Sequence, residues 1–168
     1  MLGTDVKLSE EAFERVAGLQ LKKSIYEGDG TLYSIKKYPN RVVKIVPRDN
    51  EDVQRMIELF EFLKKNRRPA VVRVHKFGKF EVAGQPFYYY VMDKLKPLKD
   101  RWNLGDLIDN YLHFGKRLSR YEVPRVKEFV QRARKVEKHY RYGDVHGGNI
   151  MRTKSGVLKF VDLESFYI

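Results

Sequence analysis

Asp144 and Asn149 stand five residues apart in "YGDVHGGNIM", and Asp162 follows thirteen residues after Asn149 inside the apolar stretch "KFVDLESF". Two carboxylates and a carboxamide offer oxygen ligands, which suit Mg²⁺, a hard cation that takes few protein ligands and keeps several waters. Far upstream, Lys44 interrupts the apolar run "RVVKIV", where burying an ammonium group is costly unless a negative partner meets it. Gly28-Asp29-Gly30 lies before it, and glycines there would let backbone amides approach phosphate with no Cβ in the way. Phosphoryl transfer asks for such a set: phosphates held by backbone and a lysine, metal held by oxygen, and a carboxylate facing the acceptor hydroxyl. Each part also has a plainer use. The glycines would serve a hairpin turn, and Lys44 would serve an edge strand with its ammonium in solvent.

These residues need elements to hold them. Ser9 with Glu10 and Glu11 reads as a helix start, with the helix running to about Gly18. "YEGDGTLYSIKKYPNRVVKIVP" reads as strand, glycine turn, strand, a Pro39-Asn40 turn and a third strand over residues 41–46. Val53, Met56, Ile57, Phe60 and Leu63 or Lys64 then recur at helical spacing. Glu58 and Glu61 flank that stripe, and either would reach back to Lys44, with Glu58 preferred. After Pro69, residues rich in Val, Phe and Tyr predict two or three more strands, broken at Gly78 and Gly84. "KPLKDRWN" is a polar connection, "LGDLIDNYLHFGKRL" a helix, and a longer helix follows Pro124, with Val126, Phe129, Val130, Ala133, Val136 and Tyr140 on one face. A short buried strand in "GVLKFVDLESF" ends the chain.

The expected architecture is α+β: a strand-rich front part over residues 1–92, a hinge over 93–100, and a reduced helical part over 101–168, together one structural domain. The chain has 168 residues, 42% of them hydrophobic, enough for one core or two small lobes. Cysteine is absent, which excludes disulfides and thiolate metal sites, and the four histidines show no metal-ligand spacing. No apolar run nears the roughly 20 residues of a membrane helix, and no signal peptide opens the chain, so a cytoplasmic protein without a membrane partner is expected. The formal charge of +12 points to a polyanionic partner: nucleotide phosphate, an acidic protein or nucleic acid. Basic residues crowd positions 116–141 on several faces of the expected helix, as on a solvated surface. No nucleic-acid motif accompanies them, and the aromatic residues fall largely in expected core strands.

Asp144 and Asn149 in D-x-x-x-x-N spacing, the isolated Asp162, the upstream glycine turn and "VVKI" together resemble the protein-kinase signature set. In "D-x-H-x-G-N-I-M" (Asp144 to Met151), "PNRVVKI" and "DLESF", the chain is similar to the early serine/threonine protein kinases of short-tailed phages that encode their own RNA polymerase. The resemblance runs from about Gly28 to Phe166 and is strong in these three islands. It implies a two-lobe kinase-like fold with a strand-rich N-lobe and a reduced C-lobe. It also implies ATP and Mg²⁺ as cofactors, with Gly28, Gly30 and Lys44 on the phosphates and Glu58 supporting Lys44. Met92, Asp93 and Leu95 would form an adenine-binding hinge. Asp144 would be the catalytic base or orienter, Asn149 and Asp162 the metal ligands, and His146 a shaper of the loop rather than a phosphate acceptor.

The chain departs from the kinase pattern in places. Tyr33 stands near the position of the third glycine, Glu164 stands where the metal loop has glycine, and Gly143 precedes Asp144 where many kinases have arginine. "YGD" is similar to the "HGD" of aminoglycoside and choline phosphotransferases, and the sequence closes six residues after Asp162, before any peptide-binding segment. Three functions follow as expectations: a phosphotransferase acting on a host protein or itself, a kinase-fold module that binds and inhibits a host protein, or a small-molecule phosphotransferase.

Overall fold

In the computed structural model, which describes residues 3–99 and 101–168 (only the backbone of 3–5, 101 and 102), the chain is α+β with two compact units. The first comprises the chain up to Arg67 together with Arg73–Lys94; the second comprises Arg68–Val72 and Leu95–Ile168.

The first unit is an antiparallel sheet with two helices. Its elements are α1 (Gly3–Ala17), β1 (Leu21–Gly28), β2 (Gly30–Ile35), β3 (Arg41–Pro47), α2 (Asn50–Lys65), β4 (Val74–Val82) and β5 (Gln85–Asp93), with strand order β1-β2-β3-β5-β4. Side chains alternate across a strand, and both faces of β3 and β5 are used. Val43 and Ile45, with Tyr33, Ile35, Tyr89 and Val91, pack against Phe13 and Ala17 of α1. Val42, Lys44 and Val46 point the other way, opposite Met92, Tyr90 and Tyr88 in register. There Phe60 of α2 lies 4.9 Å from the Tyr90 ring and 6.0 Å from that of Tyr88. Burial on both faces is why β3 and β5 read as nearly continuous apolar runs. β1, at the sheet edge, is exposed along almost its whole length.

Asp49 caps α2, its carboxylate accepting from Asp52 N at 2.8 Å, with acidic residues in the first turn and lysines in the last, as the helix dipole favours. Its buried stripe is Val53, Met56, Leu59 and Phe60. Ile57 and Leu63, expected in that stripe, are half-buried, Lys64 is exposed, and Leu59 takes the central place.

The second unit contains α3 (Arg101–His113), α4 (Pro124–Val136) and five short strands: β6 (Lys96–Pro97), β7 (Arg141–Tyr142), β8 (Ile150–Arg152), β9 (Leu158–Phe160) and β10 (Phe166–Tyr167). They form a three-stranded sheet, β6-β8-β9, and a two-stranded one, β10-β7. Residues 68–72 join this unit through backbone bonds from Phe160 N to Ala70 O (2.7 Å) and from Val72 N to Phe160 O (3.0 Å). The core is aromatic: Phe160 stacks on Tyr142 at 4.1 Å and meets Phe129 edge-on at 4.9 Å, while Phe166 stands edge-on to Tyr142 at 4.8 Å. α4 closes it with Val126, Phe129, Val130, Ala133 and Val136.

Several expected boundaries move. Ser9 does not start α1; it is buried inside the helix, its hydroxyl donating to Val6 O at 2.8 Å, the back-bonding a mid-helix serine uses. α3 begins at Arg101, within the expected polar connection, and stops at His113 rather than continuing to Leu118, with Gly115 at φ +74° just beyond. α4 stops at Val136, so Tyr140 lies past the helix in a turn. Lys96 and Pro97, also read as connection, pair with β8. Residue 100 of the expected hinge lies outside the described residues. Among the described residues, no helix is long and apolar enough to cross a membrane.

Candidate functional site

Asp144, Asn149 and Asp162 come together in the second unit. Asn149, 8% exposed, directs its side-chain Nδ2 to Asp144 O (3.0 Å), Asp144 Oδ2 (3.2 Å) and Asp162 Oδ2 (3.4 Å). Val161 N donates to Asn149 O at 2.9 Å, which ties the residue before Asp162 to the loop that carries Asn149. Because a backbone carbonyl only accepts, the Asp144 O contact settles which end of the carboxamide is nitrogen. The amide group thus stands between two carboxylates and offsets their mutual repulsion.

Asp162 is held in an unusual conformation, φ 52° and ψ 68°, in the left-handed region that a non-glycine residue enters at a cost of about 1–3 kcal/mol. Its surroundings hold it there. Ser165, at the end of the short 3₁₀ turn Leu163–Ser165, donates its hydroxyl to Asp162 Oδ2 at 2.9 Å, and Ser165 N bonds Asp162 O at 3.1 Å. The fully buried Tyr142 donates its hydroxyl to Val161 O and also reaches Asp162 O at 3.1 Å. Burial first, and the Asp162 charge second, push the Tyr142 phenol well above its usual pKa, so it remains a neutral donor.

His146 shapes the loop, as expected. Its Nδ1 accepts from Gly148 N at 3.0 Å, its backbone carbonyl accepts from Asn149 N at 3.0 Å, and its Nε2 lies 3.4 Å from Asp144 Oδ2. Neither Gly147 nor Gly148 takes positive φ, and Gly148 acts through absent bulk. A Cβ on Gly148 would stand 2.8 Å from the His146 ring, and one on Gly105 of α3 would stand 2.3 Å from Gly147 N. Helix α3 therefore packs backbone to backbone against the loop.

The entry to the loop is braced by a charged chain that the sequence did not disclose. His113 of α3 contacts Asp109 through Nδ1 (2.8 Å) and Glu137, just past α4, through Nε2 (2.6 Å). Glu137 Oε2 also accepts from Tyr142 N at 3.1 Å. Glu137, Tyr142 and Ser165 were absent from the sequence-derived site. The available signal was weak: a serine three residues after Asp162 and a tyrosine two before Asp144.

In the first unit, Gly28 and Gly30 pair across a turn whose apex is Asp29, and the Asp29 carboxylate is bound by Arg48. Gly30 takes φ +95°, and a Cβ there would lie 2.8 Å from Val46 Cγ2 and 3.4 Å from Lys44 Cε. The half-buried Lys44 side chain thus runs beneath the glycine turn, on the sheet face that packs with α2. Glu58 is exposed and its Oε1 accepts from Gln54 at 3.3 Å; Glu61 is exposed as well. Met92 is buried at the end of β5, next to Asp93, whose carboxylate lies 2.6 Å from His75 Nε2. Leu95 is half-buried at the start of the main segment of the second unit.

Two carboxylates and a carboxamide with its oxygen left as acceptor form a donor set that fits a hard divalent cation with retained waters. Among the described residues, no group of three or more His, Cys, Asp or Glu side chains is arranged to hold a metal ion. No family model matches the chain, and the curated proteins compared with it include no significant match.

Proposed function

We propose that the protein is an ATP- and Mg²⁺-dependent phosphotransferase of the protein-kinase type, which transfers a phosphoryl group to a serine or threonine hydroxyl of a host protein or of its own chain. The observation that carries the reading is Asn149 Nδ2 bonded to both the Asp144 and Asp162 carboxylates, with Asp162 held in a left-handed conformation by Ser165 and Tyr142.

In this reading Asp144, exposed at the loop surface, orients the acceptor hydroxyl and takes its proton. Asn149 and Asp162 hold Mg²⁺, which when bound neutralises charge on the phosphates. His146, beside the Asp144 carboxylate, restrains the orientation of that side chain. Lys44 and the amides around Gly28 and Gly30 serve the nucleotide phosphates. The strained backbone at Asp162 supports the assignment, because such conformations persist where the surroundings over-determine them and gather at functional sites.

The test is transfer of labelled γ-phosphate in the presence of Mg²⁺ and lysate protein. The wild type is expected to label protein, Asp144→Asn to lower the rate about 10²–10⁴-fold with nucleotide binding retained, and Lys44→Ala to weaken nucleotide binding. If the wild type labels nothing while nucleotide still raises its thermal midpoint, the enzyme reading fails. Transfer that survives Asp144→Asn removes Asp144 from its role.

A further inference from the structure

The loop that joins α3 to α4, residues 114–123, turns large apolar side chains outward: Phe114 is 72% exposed, Tyr121 81% and Val123 56%. Isolated exposed apolar residues are ordinary. Here they are interleaved with charge of one sign, since Lys116, Arg117 and Arg120 lie in the same loop and Arg125 and Lys127 in the first turn of α4. The single acidic residue among them, Glu122, is engaged by the Tyr111 hydroxyl.

The loop is also held in place. Buried Tyr111 anchors both of its arms, bonding Glu122 with its hydroxyl and receiving the Lys116 ammonium over its ring at 5.1 Å. Tyr121 N donates to Ser119 Oγ at 3.1 Å, and Lys127 Nζ donates to Arg120 O at 3.1 Å. The Arg120 guanidinium lies over one face of the Tyr121 ring at 4.8 Å, while the high exposure of that residue leaves the rest of the ring to solvent. A Tyr121 ring and a Lys116 ammonium held by such contacts lose little entropy when they capture a ligand.

We infer that residues 114–127 form a docking surface for single-stranded nucleic acid, with unstacked bases on Tyr121 and Phe114 and phosphates on Lys116, Arg117 and Arg125. Rings of this kind take any base, because every base has a π-face, and cations beside them follow the backbone. A duplex keeps its bases stacked inward and offers these rings nothing, and an irregular loop is not the helix or ribbon that enters a major groove. An acidic peptide matches the charge but leaves the rings without a planar partner. The surface is independent of the phosphotransfer reading, as it uses none of those residues.

The test is fluorescence anisotropy on the full chain with a labelled oligothymidylate of about 12 nucleotides, inside the roughly 4–16-nucleotide range of such sites. A duplex of equal length and polyglutamate serve as competitors. Tyr121→Ala is expected to weaken binding roughly 5- to 100-fold and Phe114→Ala comparably, with the thermal midpoint unchanged because both side chains are exposed. Removing the charges of Lys116 and Arg117 together should lower the salt slope by about 1.4, at ~0.7 per phosphate contact on a single strand. Binding that is indifferent to both aromatic substitutions, or that duplex or polyglutamate displaces as well as the oligonucleotide does, overturns the inference and makes this an electrostatic surface alone.

Discussion

Tyr142→Phe isolates what holds the acidic site in shape. The substitution keeps the ring that stacks on Phe160 at 4.1 Å and meets Phe166 at 4.8 Å, so little packing is lost. It removes a hydroxyl that donates to Val161 O and reaches Asp162 O. A neutral hydrogen bond contributes about 0.5–1.5 kcal/mol net, and a buried acceptor left unsatisfied costs about 1–3 kcal/mol. Asp162 O keeps its bond from Ser165 N, so the loss falls mainly on Val161 O, and about 2 kcal/mol is expected. With an m-value of about 2 kcal/mol/M, the urea midpoint should fall by about 1 M.

The loss is comparable to the strain stored at Asp162, so amide exchange should accelerate from Asp162 to Ser165 before it does in α4. The effect has a pH signature. Tyr142 is protonated in the fold, burial first and the Asp162 charge second holding its pKa well above the ordinary phenol value of 10.0. An acid whose folded pKa is raised contributes stability that is present below the unfolded pKa and lost as pH rises toward the folded one. The gap between wild type and Tyr142→Phe should therefore be full at neutral pH and narrow above about pH 10. A midpoint shifted by less than about 0.3 M at neutral pH, or a gap that stays constant into alkali, would refute the strut.

Three further outcomes follow from the same geometry. Asp162→Gly removes the left-handed strain, so it should raise stability by about 1 kcal/mol in urea unfolding and, under the proposed phosphotransferase function, abolish transfer; a destabilised variant would mean that the Ser165 bond outweighs the strain. Glu137→Ala orphans His113 Nε2 and Tyr142 N and should cost about 3 kcal/mol, with Glu137→Gln recovering part of it, as read by thermal unfolding. Gly105→Ala sets a Cβ against the backbone at Gly147, 2.3 Å from its nitrogen. It should destabilise by about 1–3 kcal/mol and shift the amide resonances of His146 to Asn149, which an equal change at exposed Gly84 would leave in place.

The period-2 and helical patterns were legible because they depend on local alternation. The strands β2, β3 and β5 and the helix α2 fall where Val, Ile, Tyr and Phe recur. The two carboxylates and the carboxamide were legible too, since Asn149 joins Asp144 and Asp162 and an amide or acid inside an apolar run marks itself. What failed were the element ends. Ser9 read as a cap because serine commonly is one, yet its hydroxyl bonds within the helix. The short strands at 96–97, 141–142 and 166–167 carry too few residues to show any period.

By residue type and order alone, the sequence determined the α+β class, the oxygen-rich donor set and the excess of basic charge. Only the tertiary structure decided which groups hold that donor set. Tyr142, Glu137 and Ser165 act through contacts with residues that no local pattern singles out, and a left-handed Asp162 is a conformation its own sequence disfavours. Such a state exists because packing and hydrogen bonds from distant segments, present only in the folded chain, outweigh the local preference.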